Sequence, residues 1–350
     1  DPVAYSLLFQ LDRNCQFLRW LTKRDFQNMT DGTPGKKIYS QSGFQKDMFI
    51  VSNEKIWLMG KYGYINISVC RTEKFEFMEE NKMRVVVIGA AGHIGTYLIP
   101  MLVDNGYETI AITRKMSMPY EDAPAWHKVK RVLLDRENDS EFIEKLKAME
   151  PDIIVDLVNF NIKETKKIVE GFEGTGLFHY LYCSSCWAHG MAETIPFNPD
   201  DLRKEPLDEY GKDKFASEMY LKEQYQKEGF PSTIIMPGQI SGPGWAIINP
   251  WGNTSMRVFQ DIADGKEIAL PNFGQEILHH VHGYDVAQVF YKAITHRNQA
   301  LGEAFDAEAA THITLYGFAK HMYEYFGHES KIKFLPWPEW CKYEGNSEEC

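Results

Sequence analysis

Basic residues are in short supply in this chain. Its 38 Lys and Arg stand against 49 Asp and Glu, a formal charge of −11. Phosphate backbones are gripped mainly by Lys and Arg, so no nucleic-acid partner is expected. No apolar run approaches the roughly 18 residues that a membrane-crossing helix needs, so no membrane partner is expected either. Six cysteines scattered over 350 residues are too few for a disulfide framework. The start, Asp1-Pro2-Val3-Ala4-Tyr5-Ser6, lacks the basic stretch and small-residue cleavage site of a signal peptide. A cytoplasmic location is the expectation, and the sequons at Asn28 and Asn66 would matter only on a secreted chain.

What the chain does have is ordinary globular content, 44% hydrophobic, enough to bury a sizeable core. Residues 1–82 show no sustained period of 2 or 3.6, and no fold is assigned to them beyond short strands at 49–51 and 64–70. They read as an appended segment, as upstream sequence read through in frame ahead of Met83, or as a small accessory domain. From Met83 strands and helices alternate. Strands are expected at 85–88, 109–113, 129–134, 152–158, 177–183 and 232–236. Helices are expected at 94–103, 139–149, 163–170 and 210–227. This alternation predicts an α/β fold, a doubly wound parallel sheet. After residue 237 the pattern loosens into Pro/Gly-rich loops with helices at 285–296 and 314–326. Residues 83–237 are therefore read as the sheet domain, and 238–350 as mainly a substrate-binding region.

The most informative stretch is Val85-Val86-Val87-Ile88-Gly89-Ala90-Ala91-Gly92-His93-Ile94-Gly95. A β-branched strand runs through a glycine turn into a helix, which aims free backbone N–H groups and a helix N-terminus at one point. Such a point suits a pyrophosphate. Glycines 89, 92 and 95 let the chain turn and the phosphates approach, with His93 and Ile94 lining the same turn. A bland glycine-rich turn is the alternative. In NAD-binding proteins an acid at the end of the second strand accepts bonds from the ribose hydroxyls. Here Thr113 is followed by Arg114 and Lys115, which suit the 2′-phosphate of NADP instead. NADP is the expected cofactor, with NAD as the alternative.

Tyr210-Gly211-Lys212-Asp213-Lys214 places a phenol and an ammonium four residues apart, on one helix face. A free tyrosine has a pKa near 10, too high for a base at neutral pH; a nearby Lys⁺ would lower it. The same spacing also occurs on many surface helices. Ser184-Ser185 follows directly on a strand, at the sheet end where open α/β folds bind ligands, and a hydroxyl there could hold a substrate oxygen.

Together these motifs resemble the extended short-chain dehydrogenase/reductase superfamily, which includes nucleotide-sugar epimerases and dehydratases. The resemblance covers about 83–336. It implies a Rossmann-type sheet and reversible hydride transfer between a nicotinamide cofactor and a hydroxyl or carbonyl carbon, of a sugar or nucleotide sugar. By its register Tyr210 is the general acid/base, Lys214 its helper and ribose contact, and Ser185 the catalytic hydroxyl. Asp135 matches the acid that touches the adenine. Segments 237–244 and 280–286 resemble substrate-region loops. A homodimer is a possible assembly. The alternative is a regulatory or RNA-binding protein that keeps the fold without catalysis.

The chain also departs from that pattern. Cys186-Trp187 stands where dehydratases carry Asp-Glu, which argues against elimination of water, and His189 replaces a tyrosine before Gly190. The lone Cys183-Ser184-Ser185-Cys186 leaves redox or metal chemistry as minor readings. Trp187, Trp245 and Trp251 suggest an apolar wall to the substrate site, core packing being the other reading for tryptophan. His280 and His282 would share a strand face in the cluster His279-His280-Val281-His282. No carboxylate or cysteine stands beside them at a ligand spacing, so they are assigned to a polar pocket wall and no metal is expected.

Overall fold

A computed structural model describes residues 82–191 and 195–345, together with the backbone of four strands nearer the start. The chain forms two compact units, residues 1–80 and 81–350. In the first, β1 (Lys37–Tyr39), β2 (Met48–Ser52), β3 (Lys55–Gly60) and β4 (Gly63–Ser68) pair in sequence order as an antiparallel meander. The strands read at 49–51 and 64–70 coincide with β2 and β4. Asn28, Cys15 and Cys70 lie outside the described residues.

The second unit is built on seven parallel strands. They are β5 (Arg84–Ile88), β6 (Glu108–Thr113), β7 (Lys130–Leu133), β8 (Ile153–Asp156), β9 (His179–Cys183), β10 (Ser232–Pro237) and β15 (Ala304–Ala307). Their order across the sheet is β15-β10-β9-β8-β5-β6-β7. The helices that cover it are α1 (His93–Asp104), α2 (Phe142–Lys147), α3 (Ile162–Phe172), α4 (Glu209–Glu228) and, later, α6 (Gly283–Thr295). Alternation along β5 shows why both faces need helices. Val85 and Val87 pack with Leu98, Leu102, Phe290 and Ile294 on one side, while Val86 and Ile88 pack with Ile168, Phe172 and Leu221 on the other.

Every strand and helix expected between 83 and 237 is present, with ends shifted by a few residues. The chain beyond 237 does more than its loop-rich sequence suggests. Both α6 and β15 return to the parallel sheet, β15 pairing with β10 at the edge. The remainder forms a smaller core around Trp251, Ile262, Leu270, Tyr323 and Trp340. It includes α5 (Arg257–Ala263), α7 (Arg297–Ala300), α8 (Leu315–Tyr325) and α9 (Trp337–Glu344). Three short strand pairs lie in this region: β11 (Gln239–Ser241) with β14 (His280–His282), β12 (Ile268–Pro271) with β17 (Ile332–Leu335), and β13 (Ile277–Leu278) with β16 (Ile313–Thr314). Cys341 is disulfide-bonded. No helix among the described residues is long and apolar enough to cross a membrane.

A buried ion pair ties the loop after β7 to the end of β8. Arg136 Nη2 lies 2.6 Å from Asp156 Oδ2, and Nη1 donates to the Val158 carbonyl at 3.3 Å. The Tyr180 hydroxyl (2.9 Å) and the Asn159 amide (3.2 Å) donate to the same carboxylate oxygen. Asp156 is fully buried. Removing one partner of such a pair strands a charge in low dielectric. Arg136→Met is therefore expected to cost about 3–5 kcal/mol in urea unfolding, and Arg136→Met/Asp156→Leu to recover much of that loss.

Candidate active site

In a parallel sheet the carboxyl ends of the strands share one edge, and the residues of interest gather there. After β5, Gly89 adopts φ +81°, where an added Cβ would sit 2.5 Å from Val158. At Gly95 a Cβ would stand 1.9 Å from the Ala90 carbonyl oxygen, so only glycine lets α1 start this close to the turn. Gly92 is the helix N-cap and offers no side chain to cap it. The first-turn N–H groups of α1, which have no intrahelical acceptor, are left for an external anion. His93 is buried between the rings of Tyr120 (centroids 3.9 Å) and Trp245 (4.0 Å), and burial holds its pKa below the usual value. Ile94 faces the core. A cradle of this shape fits a pyrophosphate.

The Asp208 carboxylate caps α4 by accepting from the Gly211 N–H at 2.7 Å. This fixes the helix start that carries Tyr210. Gly211 has no room for a side chain, since a Cβ would lie 2.5 Å from the Trp187 carbonyl oxygen. The helix start is thus pressed against the turn after β9. There Ser185 Oγ accepts from the Trp187 N–H at 3.3 Å, and its hydroxyl lies close enough to the Tyr210 phenol to pull the phenol's pKa down. Lys214, one turn on, is buried, and its ammonium donates to the carbonyls of Asn159 (2.6 Å) and Cys183 (2.7 Å). Desolvation lowers its pKa.

Ser185, Tyr210 and Lys214 therefore meet as their spacing suggests, but the electrostatics differ from the sequence expectation. Burial pushes the Tyr210 phenol up to about 12, against the opposing pull of the nearby Ser185 hydroxyl. The Lys214 ammonium is held by two carbonyls, 5.5 Å from the centre of the Tyr210 ring. In the protein alone the phenol is a proton donor.

Ser184 belongs to a different network. Its hydroxyl donates to Glu218, whose other oxygen accepts from Lys204 Nζ at 2.6 Å, all three side chains being buried. The neighbouring thiols are free, and burial pushes Cys183 up to about 11 and Cys186 up to about 12. A reactive CxxC needs the opposite shift.

At the far end of the cradle, after β6, Arg114 and Lys115 are exposed, and Arg114 Nη1 stands 3.9 Å from Glu137. Asp135 accepts from the Glu137 N–H and the Asn138 amide, both at 3.0 Å, which holds its carboxyl below the usual range. Arg114, Leu134, Asp135 and Asn138 line one shallow depression.

The model of the NAD dependent epimerase/dehydratase family matches residues 85–307. The chain belongs to this family. Among curated relatives, the chloroplast stem-loop binding protein of 41 kDa b of Arabidopsis thaliana is 26% identical over 251 residues, 69% of this chain and 62% of that protein. The chain thus spans less than two thirds of that relative's length. The UDP-glucose 4-epimerase of Bacillus subtilis is 24% identical, over 72% of this chain and 85% of its own. Among solved structures, the UDP-glucose 4-epimerase of Thermotoga maritima with UDP-glucose aligns over 73% of this chain and 86% of its own, with a TM-score of 0.57 at 20% identity. The UDP-glucuronic acid 4-epimerase of Bacillus cereus, in complex with UDP-glucuronic acid and NAD, aligns over 73% and 87%, with a TM-score of 0.57 at 18% identity.

Within this epimerase/dehydratase fold the expected substrate wall is only partly assembled. Trp187 and Trp245 are each 51% exposed, Trp187 on the turn after Ser185 and Trp245 against His93. Trp251 instead sits in the small core, edge-on to Trp340. His282 caps α6, Nδ1 accepting from the Tyr284 N–H at 3.1 Å, and His280 packs edge-on to Phe318. His189 stacks on Phe197 and faces Asp306 at 3.4 Å. Sequence reasoning missed Asn159, whose carbonyl helps hold Lys214, and Phe160, whose ring lies 6.2 Å from that of Tyr210. They lie three and four residues beyond the end of β8, in a segment that leaves the same carboxyl edge as Ser184-Ser185.

The two serines should separate cleanly. Ser184→Ala leaves one buried Glu218 oxygen without its donor and should cost about 1–3 kcal/mol in chemical denaturation. Ser185→Ala removes a buried hydroxyl that caps the Trp187 N–H and should cost less, about 0.5–1 kcal/mol.

Proposed function

We propose that this protein catalyses reversible hydride transfer at a hydroxyl or carbonyl carbon of a sugar or nucleotide sugar, as an epimerase-type enzyme using a nicotinamide cofactor. The observation that carries the reading is the convergence of Ser185, Tyr210 and Lys214 at the sheet edge that also bears the glycine cradle. The N–H groups of the α1 start and Gly89, Gly92 and Gly95 would hold the pyrophosphate, Asp135 the adenine and Lys214 the ribose. The cofactor, when bound, supplies the site that accepts and returns the hydride.

The remaining work falls to the chain's own side chains. Ser185 orients the substrate oxygen. Tyr210 Oη gives that oxygen a proton in the reductive direction and takes it back in the oxidative one. A phenol held near 12 favours donation; the positive charges of Lys214 and of an oxidised nicotinamide are needed to bring it within reach of acceptance. An epimerase uses the pair in both directions on one carbon, a reductase in one. With Cys186-Trp187 after Ser185 there is no carboxylate pair for elimination of water. Trp187 and Trp245, on either side of the edge, are the proposed apolar contacts for substrate, with His280 and His282 further out.

A binding protein on the same fold is the second reading, favoured by the name of the Arabidopsis relative. It predicts no turnover with any carbonyl or alcohol substrate. A screen of sugars and nucleotide sugars against NADH and NADPH, followed by nicotinamide absorbance, decides between the two. Tyr210→Phe keeps the ring and removes only the ionisable hydroxyl. Turnover is expected to fall by about 10²-fold or more with cofactor binding retained, and unchanged turnover would remove Tyr210 from the chemistry.

NADP is the proposed cofactor, because the end of β6 carries Arg114 and Lys115 and no acid. A 2′-phosphate offers Arg114 a doubly charged partner in place of its distant contact with Glu137. Arg114→Ala should weaken NADPH binding about tenfold or more and leave NADH binding nearly unchanged, as read by nicotinamide fluorescence titration. Equal losses would mean that Arg114 does not read the phosphate.

A further inference from the structure

Beside the proposed substrate side the fold assembles a cluster that the chain order conceals. β13 and β16 run antiparallel with Leu278 opposite Ile313. The next residues along each strand, His279 and His312, are thereby brought together, their rings edge-on with centroids 5.0 Å apart. Glu308 follows the last residue of β15 at the carboxyl edge of the parallel sheet. Its Oε2 lies 3.9 Å from His279 Nδ1 and 3.6 Å from His312 Nε2. One ligand atom from each residue falls within 4.8 Å of the other two.

The polar accounting around this cluster does not close. Glu308 Oε1 and His279 Nδ1 are both buried and have no hydrogen-bond partner among the described residues. No Lys or Arg pairs with Glu308 among those residues; its ion-pair contacts are the two histidines. Buried polar atoms are normally satisfied, and a half-buried carboxylate flanked by two imidazoles lacks a cation.

We propose that His279, Glu308 and His312 bind one divalent transition-metal cation of the zinc class, leaving at least one coordination position for water or a ligand oxygen. Two imidazole nitrogens and one carboxylate are a donor set that zinc takes in open, three-ligand sites. Bonds of about 2.0–2.2 Å place ligand atoms roughly 3.4 Å apart, so closure asks for shifts on the order of 1 Å. His312, the most exposed of the three, has the freedom to supply them. His189 stacks on Phe197, whose ring centre lies 6.1 Å from that of His279, so the cluster borders the turn after Ser185. His280 and His282, the pair that the sequence placed on one strand face, are not among the ligands.

The test is direct binding to the full chain after dialysis against a chelator. Zn²⁺ is titrated against a chromophoric competitor, Co²⁺ is followed by its visible ligand-field absorption, and Mg²⁺ serves as the hard-cation control. One Zn²⁺ per chain is expected, with Co²⁺ displaced by Zn²⁺ and no competition from Mg²⁺. His312→Ala, at an exposed position that folding does not depend on, and Glu308→Gln should each weaken binding by about 10²-fold or more. Less than one Zn²⁺ per chain, or wild-type affinity in both variants, would overturn the site. Neither readout involves turnover, so the outcome is independent of the hydride-transfer reading.

Discussion

The site hangs on the burial of one ammonium group. Lys214 comes from the second turn of the long helix α4 and is only 1% exposed. A lysine has three donors and no acceptor, and taking its charge out of water is tolerable only if those donors are met. Two of them reach the carbonyls of Asn159 and Cys183, at the ends of adjacent strands. The rings of Tyr182, Phe160 and Tyr210 surround the charge at 5.1, 5.2 and 5.5 Å. This single group therefore fixes the helix against β8 and β9. The Tyr210–Ser185 contact follows from that placement, because both residues are carried by the elements Lys214 joins.

Around it lies a layer of buried polar groups unusual for a sheet otherwise filled with Val, Ile and Leu. Asp156 accepts from Arg136, Tyr180 and Asn159, and Asn159 passes the network on through Thr165 to Ser217 on α4. A second chain runs from Ser184 to Glu218 and Lys204. In these two networks the buried charges are paired, Asp156 with Arg136 and Glu218 with Lys204, as the desolvation cost requires. The two networks flank Lys214 and hold the carboxyl edge in place where the proposed chemistry would need fixed geometry.

Membership of the epimerase/dehydratase family accounts for the scaffold but not for the specificity written on it. The match to that family runs through the parallel sheet from β5 to β15. Local arrangements vary more freely: Cys186-Trp187 and His189 in the turn after β9, with His189 against Phe197, and the His279–Glu308–His312 cluster beyond β15. The segments that return from the C-terminal region bring His279, Glu308 and His312 together, an arrangement that can change while the sheet does not. Identity of 18–26% to the named proteins leaves room for such a change while the sheet persists.

The parallel sheet and most of its helices were legible in the sequence because burial on both faces writes continuous apolar strands between amphipathic helices. The glycine cradle and the Ser185–Tyr210–Lys214 set were legible because each is local, a turn or a helix spacing whose geometry a few neighbouring residues dictate. What involves distant segments was not. The sequence gives no sign that residues 304–307 join the sheet, since a four-residue edge strand has almost no periodicity to read. Nor does it show that Ser184 is tied to Lys204, or that His279 faces Glu308 and His312. Solvation was hidden as well: the phenol of Tyr210 is raised by burial, where spacing from Lys214 alone suggested that it is lowered. Short-range steric rules fix backbone pattern one segment at a time. Desolvation and the meeting of charges depend on which segments pack together, and those were decided only by the tertiary fold.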